Sequence, residues 1–336
     1  MRSYILRAAG AAVLSSILAG PANAATVLRP PVVLMASATS NPVTIIAYTV
    51  PTSNSTPVAI TLGPDDDMWF TEYMGAKVGH ITPTGTIKEH RIGTSGIAPI
   101  GITRTAKDQV AFGGNLPNFS DVGLITNGRL SFVQPTAPTP ASYYMVALGN
   151  AVWFTLTTAG AIGKLQGGVY TYYTVPTPNC FPNGIAVGPD GNIWFTEYGQ
   201  CQNIGVISPT TGKIVEYPVP GATAQPNDIT SGSDGALWFT GVNNAVGRVT
   251  TSGGITLVPL SGLFIPTKIV TGGDGNLWFT NGELHVIGRM TTAGKVTSYT
   301  IPPSSGSDGY MGIARGPGRS IWFTNASGNQ ILKLTY

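Results

Sequence analysis

The sequence predicts an all-β fold: a seven-bladed β-propeller of four-stranded antiparallel blades, the last blade closed by an N-terminal strand. Three observations predict it. All six tryptophans (Trp69, Trp153, Trp194, Trp238, Trp278 and Trp322) are followed by Phe-Thr, at gaps of 84, 41, 44, 40 and 44 residues. Val110-Ala111-Phe112 sits at the midpoint of the double gap, where a seventh unit belongs. A fixed period of this size marks propeller blades. Second, a Val/Ile-Gly pair follows each motif: Val78-Gly79, Val122-Gly123, Ile162-Gly163, Ile204-Gly205, Val246-Gly247 and Ile287-Gly288, with Leu332 replacing the last glycine. Third, only 10% of the chain is charged, with 44 Gly and 26 Pro, a strand-and-turn composition.

The elements follow in chain order. Residues 1–24 read as a secretory signal peptide: Arg2 and Arg7 precede an apolar run from Ala8 to Gly20, and Ala22-Asn23-Ala24 offers a cleavage pattern before Ala25. That run is shorter than the roughly 20 residues a membrane span needs, and no later stretch is apolar enough. The chain is expected to be exported, to the periplasm or the extracellular space. Residues 25–43 are expected to form a flexible leader, and 44–336 the propeller.

The fourth unit is the template. Asn183 to Val187 is strand A, and Gly188-Pro189-Asp190-Gly191 is a turn. Asn192 to Glu197 is strand B, Ile204 to Ile207 strand C, Pro209 to Gly212 a hairpin turn, and Lys213 to Val219 strand D. Alternation at period two fits strands buried between stacked blades. Each tryptophan is read as core packing, burying on the order of 150–250 Å². The seventh unit stops at Tyr336 after its third strand. Thr44 to Pro51 matches the D strands at Tyr172–Pro176 and Ser298–Pro302, so it is expected to complete that blade and remove an open edge. Truncation before Thr44 is expected to be harmless.

Without Arg2 and Arg7 the formal charge falls from +3 to +1. That balance argues against a nucleic-acid or anionic-membrane footprint, which would need a clustered basic face. The expected partner is a small molecule, peptide or protein at the channel mouth, bound by a monomer.

The pattern GPDGNIWFTE…IGVISPTTGKIVEYPVP resembles the repeat of the streptogramin B lyases, the virginiamycin B lyase family, and the resemblance covers 44–336. It implies a seven-bladed propeller that linearises a cyclic depsipeptide by Mg²⁺-assisted elimination. It also implies histidines at the start of strand A in the last two blades and an acid at the end of the final strand B. Elimination needs a base of near-neutral pKa and a cation for the developing enolate. The matching strand-A positions here are Val58, Ile100, Tyr143, Asn183, Asn227, Thr267 and Met311, and the final strand B ends in Asn325-Ala326. These departures predict a binding module. The alternative is a Mg-dependent lyase, or a related hydrolase, with a rearranged site.

For that alternative, His285 and Glu283, between strands B and C of blade six, are the candidate base or metal ligands. His80 and His90 are expected at the surface. Glu72 (with Tyr73) and Glu197 (with Tyr198) end strand B in blades one and four and are expected to bond loop backbone. The channel positions read Ala59, Gly101, Tyr144, Gly184, Asp228, Lys268 and Gly312. Asp228 and Lys268 are expected to form an ion pair that, beside Tyr143, Tyr144, Asn183, Asn227 and Tyr310, orients a polar ligand. Asp65-Asp66-Asp67 is read as a tight turn, its spacing unlike a calcium loop. Cys180 and Cys201 flank strands A and B of blade four on one end of the ring, which predicts a disulfide worth roughly 3 kcal/mol.

Overall fold

The structure is a computed structural model that describes residues 32–36, 43–93, 97–106, 108–115, 122–135, 141, 143–221, 225–242, 244–260, 265–281, 285–301 and 309–336; for 32–36, 242 and 310 only the backbone is described. The expected signal peptide lies outside these residues.

Seven sheets form a ring with strand A innermost. In order A to D, blade one is Pro57–Leu62, Met68–Glu72, Lys77–Ile81 and Ile87–Arg91, and blade two is Ala98–Ala106, Gln109–Asn115, Val122–Thr126 and Arg129–Val133. Blade three is Met145–Leu148, Ala151–Leu156, Ala161–Gln166 and Val169–Thr174, and blade four is Cys180–Val187, Ile193–Gly199, Asn203–Ile207 and Ile214–Pro218. Blade five is Ile229–Ser231, Leu237–Val242, Ala245–Val249 and Ile255–Pro259, and blade six is Pro266–Thr271, Leu277–Asn281, Val286–Met290 and Val296–Thr300. Blade seven takes Tyr310–Arg315, Ser320–Asn325 and Gln330–Thr335 from the C-terminus. Its strand D is Val43–Thr49, paired antiparallel with Thr44 opposite Thr335 and Thr49 opposite Gln330. The ring is closed as the sequence predicts. Of the leader expected over 25–43, residues 25–31 and 37–42 lie outside the described residues, while Val32–Ala36 departs from that expectation and pairs with Val43–Thr49 as a fifth strand on this sheet. The added strand uses edge hydrogen-bonding groups that the closing strand would otherwise present to solvent.

The repeated letters have distinct packing roles. The five tryptophans from Trp153 onward are 0–1% exposed. Trp153, Trp194, Trp278 and Trp322 stack on Tyr173, Tyr217, Tyr299 and Tyr48, at centroid distances of 5.6–5.9 Å. Tyr48 lies on the N-terminal strand and so does for blade seven what a strand-D tyrosine does elsewhere. Strand C places a cation over the tryptophan ring: Lys164, Arg248, Arg289 and Lys333 lie 5.2–5.8 Å from Trp153, Trp238, Trp278 and Trp322. Blade one fills both places with histidine. His80 and His90 stack on Trp69 at 4.6 and 5.3 Å, and His80 Nδ1 lies 2.9 Å from an Asp67 oxygen. These histidines are therefore half-buried packing groups and not the surface residues expected, because their strand positions face the tryptophan. Asp67 ends the short 3-10 turn Pro64–Asp66, in keeping with a tight turn.

The phenylalanine explains the glycine on strand C. A Cβ at Gly205 would lie 2.3 Å from the Phe195 ring, and at Gly247 2.0 Å from Phe239. The threonine links blades. Thr71, Thr196, Thr240 and Thr324 donate from Oγ1 to strand-A carbonyls of the next blade, at Ile100, Asn227, Thr267 and Val58 (2.8–3.0 Å). The bond from Thr324 to Val58 crosses the closure between last and first blades. Blade two, lacking tryptophan, is filled instead: Ala111 is fully buried beside Met145, Val152, Phe154 and Tyr170.

Candidate functional site

A channel of about 770 Å³ runs along the inner strands. It is lined at the predicted positions by Ala59, Gly101, Tyr144, Asp228, Lys268 and Gly312, with Met311 at the end where strands A begin. Of its lining residues, Asp66 and Arg315 are charged but exposed at the opposite end, by the A–B turns. The inner wall thus carries one basic and one acidic group, Lys268 and Asp228.

Lys268 is 5% exposed, and its Nζ lies 3.8 Å from the centroid of the Tyr144 ring. Blades six and three are nearly opposite in a seven-membered ring, so this contact spans the channel. The structure corrects the expected Asp228–Lys268 ion pair: among the described residues Lys268 Nζ has no hydrogen-bond partner. Tyr144 and then Asp228 hold its pKa above the usual lysine value despite burial, which opposes them. The Tyr144 phenol acts by proximity, with no hydrogen bond of acceptable geometry. Asp228 Oδ2 instead accepts the Ile269 amide N–H at 2.9 Å. Burial raises the Asp228 pKa against the opposing pull of Lys268 and two amides.

Around this bar the mouth is phenolic. Burial raises the pKa of Tyr73, Tyr143 and Tyr198, and each is further raised by a neighbouring phenol: Tyr143 for Tyr73, Tyr144 for Tyr143, and both for Tyr198. Of these phenols Tyr144 lines the channel, and Tyr73, Tyr143 and Tyr198 stand near enough to one another or to it to be felt electrostatically. Phe181 packs on Tyr198 at 5.6 Å. Asn183 and Asn227 belong to the rim in a different way. Asn183 Nδ2 donates to the Asn227 Oδ1 (2.6 Å) and carbonyl (2.9 Å), and Asn227 Nδ2 donates to the Thr267 carbonyl (2.9 Å), a chain running across blades four to six. The backbone of Tyr310 opens strand A of blade seven, opposite Asn325. Its side chain and the whole of Glu283 lie outside the described residues. His285 stands just before strand C of blade six, its carbonyl accepting the Ile301 amide at 2.7 Å, and it is not among the residues lining the channel.

Cys180 and Cys201 form the expected disulfide, with Cα atoms 5.4 Å apart. Their sulfurs and a Glu197 oxygen lie within 4.8 Å of one another. With both sulfurs in a disulfide, only the carboxylate remains as a donor, so the cluster does not hold a metal in this state.

Glu72 and Glu197 are fully buried, and burial is the main cause that pushes both to about 8. Glu89 and Glu216 add to the rise. The expected bonds to loop backbone are not found. Glu197 Oε2 accepts from Asn203 Nδ2 at 3.1 Å, while neither Glu72 oxygen has a partner among the described residues. The nearby Lys77 is engaged by Glu89 at 2.5 Å.

The divalent cation implied by the resemblance does not fit these residues. A hard cation takes ionised oxygen ligands. The carboxyls of Glu72 and Glu197 keep their protons at neutral pH and stand in separate blades. The last two strands B end in Asn281 and Asn325, and Asn325 Oδ1 accepts the Gly328 amide.

Comparison with known proteins agrees with the geometry of the ring. No curated protein matches. Three solved structures match at a TM-score of 0.79 and 30% identity: a streptogramin B lyase, virginiamycin B lyase from Staphylococcus aureus with selenomethionine, and a catalytically inactive histidine-to-alanine variant of that enzyme with quinupristin. Each match covers 87% of this chain and 97–99% of the other. Hydrazine synthase of Kuenenia stuttgartiensis, at 13% identity and a TM-score of 0.71, covers 85% of this chain and 97% of its own, and shares the fold alone. The model of the virginiamycin B lyase family matches residues 37–128, 123–263 and 263–336, nearly the whole propeller, and the chain belongs to that family.

Proposed function

We propose that the protein is an exported binding propeller that seats a ligand at the phenolic mouth of its channel and does not carry out the elimination its family resemblance implies. One observation carries the reading: the described residues lining the channel include no histidine, and the wall holds Lys268, Asp228 and Tyr144 instead. A protonated ammonium whose pKa is raised is a poor base for taking a proton α to a carbonyl. Asn325, its side chain bonded to Gly328, stands where the resemblance calls for an acid. A concave site with an apolar and phenolic lining and a few converging polar groups suits binding of a small molecule or peptide.

Export is supported by the signal-like N-terminus and by the disulfide, which persists in oxidising compartments. Among the described residues no helix is long and apolar enough to cross a membrane.

The test is turnover of quinupristin or another type B streptogramin by the purified mature chain, with and without Mg²⁺, read by mass spectrometry. The ring should stay closed at high protein concentration. Metal-dependent linearisation would overturn the proposal and make His285 the first residue to substitute.

A further inference from the structure

We infer that the channel is a carboxylate-binding site in which the Lys268 ammonium receives the anionic group of the ligand. This rests on the mouth being a binding site and names the chemical class that the site selects.

The Lys268 ammonium is buried in the channel wall. Lys268 extends from strand A of blade six across the channel to the Tyr144 ring of blade three, where it makes a cation–π contact and no hydrogen bond among the described residues. An ammonium has three N–H donors. Leaving all of them unused in a buried position is costly, and the ring face offsets only part of that. Of the other wall residues, Asp66 and Arg315 stand at the far end by the A–B turns, and the rest, Asp228 apart, contribute aliphatic, glycine, proline, threonine, serine and methionine surface. A ligand atom reaching the middle of the channel therefore meets a single positive group.

Its acidic neighbour does not satisfy it. Asp228 is turned to the Ile269 amide and accepts no hydrogen bond from Lys268. The Lys268 N–H groups therefore remain for a ligand, and an anionic acceptor gains more from an ammonium than a neutral one does. One ammonium without a guanidinium fork suits a monovalent carboxylate better than a phosphate dianion, which draws several donors. Both Lys268 and Tyr144 line the cavity of about 770 Å³, so a rotation of the lysine side chain turns its N–H groups towards an entering ligand. Beyond Tyr144, the channel offers the ligand body aliphatic surface from Ile60, Ile185, Ile229, Ile269 and Ile313. The preferred ligand is a carboxylic acid with an apolar or aromatic body.

The test uses three probes of one shape and different charge, benzoate, benzamide and benzamidine, titrated calorimetrically into the mature chain. Charge-assisted hydrogen bonding should make benzoate bind about tenfold or more tightly than either of the others. In Lys268→Met and in Lys268→Gln that ratio should fall to about one; the second variant guards against an effect of packing alone, and thermal unfolding checks that both fold. Comparing acetyl-phenylalanine as its free acid and its amide separates a peptide chain end from a small acid as the source. Tighter binding of benzamidine, an unchanged preference in both variants, or no binding of any probe would each overturn the inference. The result separates from the streptogramin assay: turnover with an intact benzoate preference removes the non-catalytic reading and leaves the anion site. Absence of both turnover and benzoate binding removes only the anion site.

Discussion

Replacing Glu72 by Gln should stabilise the protein at alkaline pH and change little at acid pH. The Glu72 carboxyl is fully buried with no hydrogen-bond partner among the described residues, and burial pushes its pKa from 4.5 to about 8. Glu89 raises it further, while Lys77, held by Glu89, lowers it too weakly to compensate. A carboxyl whose folded-state pKa is raised binds its proton more tightly when folded, so its stabilising contribution is complete below pH 4.5. That contribution is lost as pH climbs through the interval to about 8. At 1.36 kcal/mol per pH unit the interval corresponds to about 5 kcal/mol for a group that stays protonated throughout. Water entry and relaxation reduce this, and about 2–5 kcal/mol is the expected range. Glutamine copies the shape of the protonated acid without the ionisation. Urea unfolding at about pH 4.5 should therefore give nearly equal midpoints for wild type and E72Q, and at about pH 8.5 a higher one for E72Q. Glu197→Gln should behave alike, and the double variant should show the sum, since blades one and four share no partner. A difference between wild type and E72Q that stays constant across this range would refute the assignment of a neutral buried acid.

The other predictions concern the ring. Thr196→Val keeps the side-chain shape but removes the hydroxyl that links the Gly184 amide and the Asn227 carbonyl; these two still bond each other at 3.0 Å, so unfolding free energy should fall by about 0.5–1.5 kcal/mol in denaturant titration. Gly205→Ala places a Cβ 2.3 Å from the Phe195 ring, which should cost about 1–3 kcal/mol through overpacking, with Phe195→Leu in the same chain recovering part of the loss. Deleting residues 43–50 removes the strand paired with Gln330–Thr335 and the Tyr48 ring stacked on Trp322; unfolding should lose its cooperativity and the chain should associate through the opened edge, seen by scattering.

What the sequence made legible was whatever repeats. The spacing of Trp-Phe-Thr gave the number of blades, the shortened last unit gave the closure, and two loops on one rim gave the disulfide. Residue identity at a repeated position also carried its packing role, because every copy faces the same neighbours; read that way, the threonine of the motif was an available signal for the links between blades. His80 and His90 depart from the expected surface role because each occupies a position that other blades fill with a cation or a tyrosine packed on tryptophan. The site depends on where repeats differ and on which differences meet across the ring. Lys268 and Asp228 looked like partners because they are neighbours in the blade order. The lysine instead reaches over the channel to Tyr144, nearly opposite, and the aspartate turns to a backbone amide. Tyr73 and Tyr198 stand in the sequence only as companions of two glutamates, and the electrostatic influence of Tyr143 on both crosses from one blade to another. The protonation of those glutamates was likewise hidden, because burial and not residue type sets it. A propeller repeats its scaffold in sequence and assembles its site across the axis, so channel positions have to be compared around the ring before neighbours along the chain are paired.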